Sequence, residues 1–199
     1  MRGEGGTAFV LAHGAGGNRH APFLESMADG LAREGHRVIL TNFPYSEQKR
    51  RIPDPPALLE ATLDAVATFA ESELGARRIV LGGKSMGGRM ASQLAAKGRR
   101  AAGLVFLGYP LHAPGKEDRL RDAHLAQVAA PMLFVQGTRD AFARWDLIET
   151  VAARLPNATL HRVEGGDHSF RVLKGTGRGP AEVEAGIVAA MTSWVAGLR

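Results

Sequence analysis

The sequence predicts an α/β domain, a mostly parallel sheet of about six strands with helices on both faces. Three observations predict it. Short apolar runs alternate with longer amphipathic stretches, as in strand–helix–strand crossovers. The runs are continuously apolar rather than alternating, so both faces of each strand are covered. Glycine and proline mark the boundaries between the two kinds of segment.

The first run is Ala8-Phe9-Val10-Leu11-Ala12, and it ends in His13-Gly14-Ala15-Gly16-Gly17. Leu24, Met27, Ala28 and Leu31 then recur at helical spacing and stop at Gly35. Val38-Ile39-Leu40 is the second run. Leu59, Leu63, Val66 and Ala70 form the next stripe, between Pro55-Pro56 and Gly75. Ile79-Val80-Leu81 is the third run, and it leads into GGKSMGGR, Gly82 to Arg89. Met90, Ala91, Leu94 and Ala95 make a helix stopped by Gly98. Leu104 to Leu107 and Met132 to Val135 are the fourth and fifth runs. Ile148, Val151, Ala152 and Leu155 precede Pro156. A weaker sixth run spans Thr159 to Val163, and Val183, Ile187, Ala190 and Trp194 mark the last helix.

Ligands of such sheets bind beyond the C-terminal ends of the strands. Three loops there are expected to wall a pocket: Pro44–Pro56, Tyr109–Asp118 and Arg171–Pro180.

Bulk properties narrow the classes. The chain has 199 residues, 45% of them apolar and 23% charged. It reads as one domain over residues 1–199, large enough to bury roughly 70% of the surface its unfolded form exposes. There is no cysteine, which excludes disulfides, a thiolate nucleophile and cysteine zinc sites. The formal net charge is +5, but the basic residues are scattered and the one dense run, Lys49-Arg50-Arg51, is short and without interleaved aromatics. A solvated basic surface is expected, not a nucleic-acid face. No run is long enough to span a membrane. The N-terminal MRGEGGTAFVLAHG lacks the long apolar core and small-residue cleavage site of a signal peptide, so a cytoplasmic protein is expected.

The residues just beyond each strand carry the chemistry. After the first run, Gly14 and Gly16 fit a dinucleotide fingerprint, but its third glycine position is Arg19. The other use of such a loop is to aim backbone N–H groups at a developing negative charge. After the third run, Gly83-Lys84-Ser85 resembles the end of a phosphate loop. That loop needs a glycine at position 78, which is Arg78, and a flexible stretch where Ile79, Val80 and Leu81 stand. Nucleotide binding is therefore not expected.

Gly83-Lys84-Ser85-Met86-Gly87 fits the sharp strand-to-helix turn that presents a nucleophilic serine between small neighbours. In that turn Lys84 is the variable residue. Its side chain is expected to leave in a different direction from the serine hydroxyl; a secondary expectation is that its ammonium tints the pocket rim toward anionic substrates. A serine hydroxyl needs a base, and a histidine base needs an acid to orient it. The expected order is serine, acid, histidine. Asp140 comes after the fifth run in Gln136-Gly137-Thr138-Arg139-Asp140. His168 comes after the sixth in Gly165-Gly166-Asp167-His168. Asp167 is a rival acid but adjoins His168 in sequence, and Asp146 falls within a helix. His20, His36, His124 and His161 have no motif around them. His13 borders the glycine loop and reads as a structural support. Tyr109 and His112, in Tyr109-Pro110-Leu111-His112-Ala113-Pro114-Gly115-Lys116, are expected to line the substrate pocket. No metal motif is present.

The motifs HGAGG, GGKSMGGR, QGTRDAF and GGDHSF resemble those of the α/β-hydrolase superfamily over nearly the whole chain. More closely, the chain is similar to short bacterial dienelactone-hydrolase-like proteins. These are related to the hydrolase-like domain of a regulatory subunit of the NSL histone acetyltransferase complex, a kinship carried by YPLHAPGK with QGTRD and GGDHSF. The resemblance implies Ser85 as nucleophile, Asp140 as acid and His168 as base, with the N–H groups of Ala15 and Met86 as oxyanion donors and no cofactor. Superfamily members usually begin with two further strands before the HG strand, which here starts almost at the N-terminus, so a six-stranded core is expected; the stretch between the fourth and fifth runs leaves no room for a large cap. The expected function is hydrolysis of small carboxylic esters or related acyl compounds, with a small-molecule partner and neither nucleic acid nor membrane. A protein-interaction module on the same fold is the competing expectation.

Overall fold

A computed structural model describes residues 1–198 and, at Lys174, the backbone. The six apolar runs become β1 (Thr7–Ala12), β2 (Arg37–Thr41), β3 (Arg78–Lys84), β4 (Gly103–Leu107), β5 (Met132–Gly137) and β6 (Ala158–Val163). They form one sheet in the order β2-β1-β3-β4-β5-β6, every neighbouring pair parallel. β1, β3, β4 and β5 are buried along nearly their whole length, which is why their sequences run apolar without alternation. β6 is an edge strand, most of its residues only partly buried, and its run is correspondingly weak.

The helices are α1 (Pro22–Arg33), α2 (Pro44–Glu47), α3 (Pro56–Ser72), α4 (Met86–Ala96), α5 (Trp145–Ala153) and α6 (Pro180–Ala196). Proline stands at the first turn of α1, α2, α3 and α6, where its missing N–H costs nothing. Successive strand residues feed opposite layers. Ala8, Val10 and Ala12 of β1 belong to one hydrophobic layer with Leu59 and Leu63 of α3, Met90 and Ala91 of α4 and, farther along the sheet, Ile148 of α5. Phe9 and Leu11 pack with Leu24 and Met27 of α1 and Ile187 and Met191 of α6. Between β4 and β5 the only regular element among the described residues is a single 3-10 turn, Leu125–Gln127, so there is no cap. Among the described residues, no helix is long and apolar enough to cross a membrane.

The chain order reverses between β1 and β3. Their C-terminal ends are in register, Ala12 beside Gly83. A crevice opens at such a switch point. The glycine loop after β1 and the turn after β3 therefore face one another.

Candidate active site

Ser85 sits between β3 and α4 with φ 51° and ψ −113°, a left-handed backbone that a residue with a side chain holds only under strain. Its N–H donates to the Leu107 carbonyl at 3.1 Å, and its carbonyl accepts the Arg89 N–H at 3.1 Å. The flanking glycines are dictated by β1. A Cβ at Gly83 would lie 2.1 Å from the Ala12 carbonyl oxygen, and one at Gly87 2.4 Å from it. Gly83 also has φ +145°.

Asp140 and His168 reach Ser85 from the turns after β5 and β6. Those turns are tied together by N–H bonds from Thr138 to the Val163 carbonyl, 3.1 Å, and from Arg139 to the Gly166 carbonyl, 2.8 Å. His168 Nε2 lies 2.9 Å from Ser85 Oγ, and His168 Nδ1 lies 2.7 Å from Asp140 Oδ2. A carboxylate only accepts, so Nδ1 carries the proton and Nε2 is free to accept the serine hydroxyl. The Phe142 ring covers His168 with centroids 4.4 Å apart. Asp140 is buried. Its Oδ1 accepts the Phe142 N–H at 2.7 Å, and its Oδ2 also accepts from Gln136 Nε2 at 2.6 Å.

Gln136, the first residue of the QGTRDAF motif, was given no role by the sequence. Its other end, Oε1, accepts the Tyr109 N–H at 2.8 Å, so it bridges the β4 turn to Asp140. The available signal was a polar residue closing a fully apolar strand.

The rival acids are engaged elsewhere. Asp167 Oδ1 accepts the N–H groups of Ser169 and Arg171, which folds the turn that carries His168. Asp146 is exposed and forks onto Arg144. A second serine–histidine contact joins Ser92 Oγ and His124 Nε2 at 2.7 Å. Ser92 is fully buried within α4, and its hydroxyl also lies 2.8 Å from the Arg89 carbonyl, so it has no access to substrate.

Ser85, Ala15 and Met86 line one cavity of about 380 Å³, with Pro53, Pro110 and Phe142 among its other walls. Among the described residues neither the Ala15 nor the Met86 N–H has a hydrogen-bond acceptor. The Gly16 N–H, by contrast, donates to Tyr45 Oη at 3.2 Å. His13 is fully buried and holds the glycine loop. Its Nδ1 donates to the Gly14 carbonyl at 2.8 Å, and its Nε2 accepts the Phe43 N–H at 3.3 Å. Burial lowers its pKa below the ordinary histidine value.

Four expectations are corrected by the packing. Tyr109 is fully buried and does not line the Ser85 cavity; its hydroxyl donates to the Arg121 carbonyl at 2.8 Å. His112 is also buried, its ring bonded to the Ala113 carbonyl and to the Arg144 N–H. From that loop Pro110 reaches the cavity instead, joined by Arg121 just beyond it. The third loop, represented by Arg171 and Arg178, walls a separate cavity of about 610 Å³ beside Phe23 and Phe170. Lys84 does not reach the rim of the Ser85 cavity. Its Nζ is buried without a hydrogen-bond partner among the described residues, 5.4 Å from the Phe170 ring centroid. Burial pushes its pKa down to about 8, opposed by the charges of Asp140 and Asp167. Among the described residues no three His, Asp or Glu side chains converge as a metal site.

Comparison with known proteins agrees with this architecture. A family described as "Alpha/beta hydrolase domain" matches residues 5–196. Among solved structures, a dienelactone hydrolase from Anabaena variabilis is 19% identical with a TM-score of 0.76, over 100% of this chain and 90% of that one. A lidless α/β serine hydrolase from Xanthomonas campestris is 20% identical with a TM-score of 0.74, over 97% and 84%. Est1E from Butyrivibrio proteoclasticus, in a structure with ferulic acid bound, is 13% identical with a TM-score of 0.74, over 96% and 89%. At these identities the likeness is one of fold.

Proposed function

The chain belongs to the alpha/beta hydrolase domain family, and on that premise we propose that it hydrolyses small carboxylic esters or related acyl compounds through Ser85, His168 and Asp140. The supporting observation is the unbroken contact from Ser85 through His168 to Asp140, at 2.9 and 2.7 Å, with Ser85 open to a cavity. Kinship with dienelactone-hydrolase-like proteins is supported by the Anabaena enzyme. The acid bound by Est1E is a carboxylic acid of the kind an ester yields on hydrolysis. Kinship with the NSL subunit rests on the sequence motifs alone. The proposal takes residues 1–199 as a single cytoplasmic domain that works without a cofactor.

Each role has a geometric basis. Ser85 Oγ attacks the substrate carbonyl carbon as its proton passes to His168 Nε2. The carbonyl oxygen becomes an oxyanion, held by the Ala15 and Met86 N–H groups. Two such donors, preorganised and unspent, stabilise the charge as it forms. Asp140 fixes the Nδ1–H tautomer and stabilises the imidazolium. The intermediate collapses, the C–O bond breaks and His168 returns its proton to the leaving alcohol. A water molecule then attacks the acyl-enzyme, His168 takes its proton, and the carboxylic acid leaves as Ser85 regains a proton.

The test is a graded panel of p-nitrophenyl esters, acetate to octanoate, with the parent and Ser85→Ala. Turnover by the parent that Ser85→Ala loses supports the proposal. Folded parent without turnover leaves the interaction module as the better account.

A further inference from the structure

Two arginines line the Ser85 cavity, Arg89 and Arg121. Arg89 lies one turn of α4 beyond Ser85, its N–H on the Ser85 carbonyl. A helical side chain tilts back toward the helix N-terminus, which brings the Arg89 head toward the level of Ser85. Arg121 comes from the loop side of the cavity, its N–H on the Leu111 carbonyl, its carbonyl on the Tyr109 hydroxyl and its Nη1 3.4 Å from the Pro110 carbonyl.

Neither guanidinium has a carboxylate partner among the described residues; Arg89 is half-buried and Arg121 exposed. The cavity's one carboxylate, Asp54, is already committed to Arg50 and to the Tyr45 N–H. Glu60, the acid near Arg89, is paired with Lys97. The arginines repel each other. Burial first, and then Arg121, lower the Arg89 pKa below its ordinary value. The first turn of α4 holds no acidic residue, so a cation stands where the helix end already favours an anion. An anion placed between the half-buried Arg89 and the exposed Arg121 would offset that repulsion. The remaining walls, including Leu59, Met86, Met90 and Pro56, are apolar and suit a short carbon chain.

Resting on the hydrolase proposal above, we infer that the preferred substrates are esters carrying a free carboxylate a few carbons from the scissile carbonyl, held by Arg89 and Arg121. A planar carboxylate matches the guanidinium fork.

The experiment compares kcat/KM for monomethyl esters of succinate, glutarate and adipate with that for the neutral methyl butyrate, valerate and hexanoate. A second arm uses acetyl esters of glycolate and of 3-hydroxypropanoate, which place the carboxylate on the alcohol side. An anionic-to-neutral ratio of about ten or more in either arm, falling as salt rises, is expected. The ratio collapses in Arg89→Met and Arg121→Met, is partly kept in Arg89→Lys, and is unaltered in Arg162→Met. Neutral esters turned over as well as anionic ones by the parent overturn this inference while the hydrolase proposal stands. Anionic preference that survives both methionine variants also overturns the assignment to these arginines. If the parent turns over neither class and a fluorophosphonate leaves Ser85 unlabelled, the hydrolase proposal falls and this inference with it.

Discussion

Gln136 donates from Nε2 to Asp140 Oδ2 at 2.6 Å, and both residues are buried at the end of β5. The same glutamine accepts the Tyr109 N–H at 2.8 Å. It therefore shares the Asp140 Oδ2 acceptor with His168 Nδ1 and satisfies a buried backbone donor. Replacing it with leucine leaves the Tyr109 N–H unpaired, which costs about 1–3 kcal/mol. Gln136→Leu is expected to lower the urea unfolding free energy by that amount, whereas Gln136→Glu keeps the acceptor but sets two carboxylates against each other.

The aspartates separate by role. Asp140→Asn offers His168 an amide in place of a carboxylate and favours the wrong tautomer, so kcat falls on the order of 10⁴-fold. Asp167→Asn keeps an oxygen for the Ser169 and Arg171 N–H groups and should change kcat less than about tenfold, roughly 1.4 kcal/mol. Steady-state kinetics on one ester checks both, and a reversed order moves the acid to Asp167.

The turn at Ser85 tolerates no Cβ. Gly87→Ala places one 2.4 Å from the Ala12 carbonyl oxygen. Gly83→Ala adds a collision at 2.1 Å to a backbone at φ +145°. Each is expected to cost about 3 kcal/mol or more in urea unfolding. An unchanged midpoint would mean that β1 does not set the spacing of this motif.

Lys84 carries a cost that depends on pH. Its folded pKa is about 8 and its ordinary value 10.5. Between those values the unfolded chain binds more protons, so raising the pH through that window stabilises the fold. Below about pH 8 the penalty of a buried, unbonded ammonium is present in full. Lys84→Met should therefore raise the melting temperature at pH 7, and the gain over the parent should shrink between about pH 8 and 10.5. A gain that stays constant through that range contradicts the buried charge.

Ser85, Asp140 and His168 were legible in the sequence because each lies directly after a strand, and a parallel sheet brings its C-terminal strand ends to one edge. The six runs and the five longer helices were legible from periodicity and their proline and glycine boundaries. α2, a four-residue helix, is too short for its period to show. Tyr109, His112 and Lys84 were misplaced for a common reason. Their direction depends on what packs behind the loop, such as Phe134 against Tyr109 and Phe170 against Lys84, and those partners are distant in sequence. Gln136 stood in a quoted motif without a role and Arg121 was missed, since their contacts run across the sheet and between loops.

The central claim is that Ser85 is a nucleophile activated by His168. Labelling with a fluorophosphonate, read by intact mass and peptide mapping, tests it most directly. The parent is expected to gain one adduct, on Ser85. His168→Ala should slow labelling by orders of magnitude, and Ser85→Ala should abolish it. Folded parent that stays unlabelled, or an adduct on another serine such as Ser92, would contradict the account.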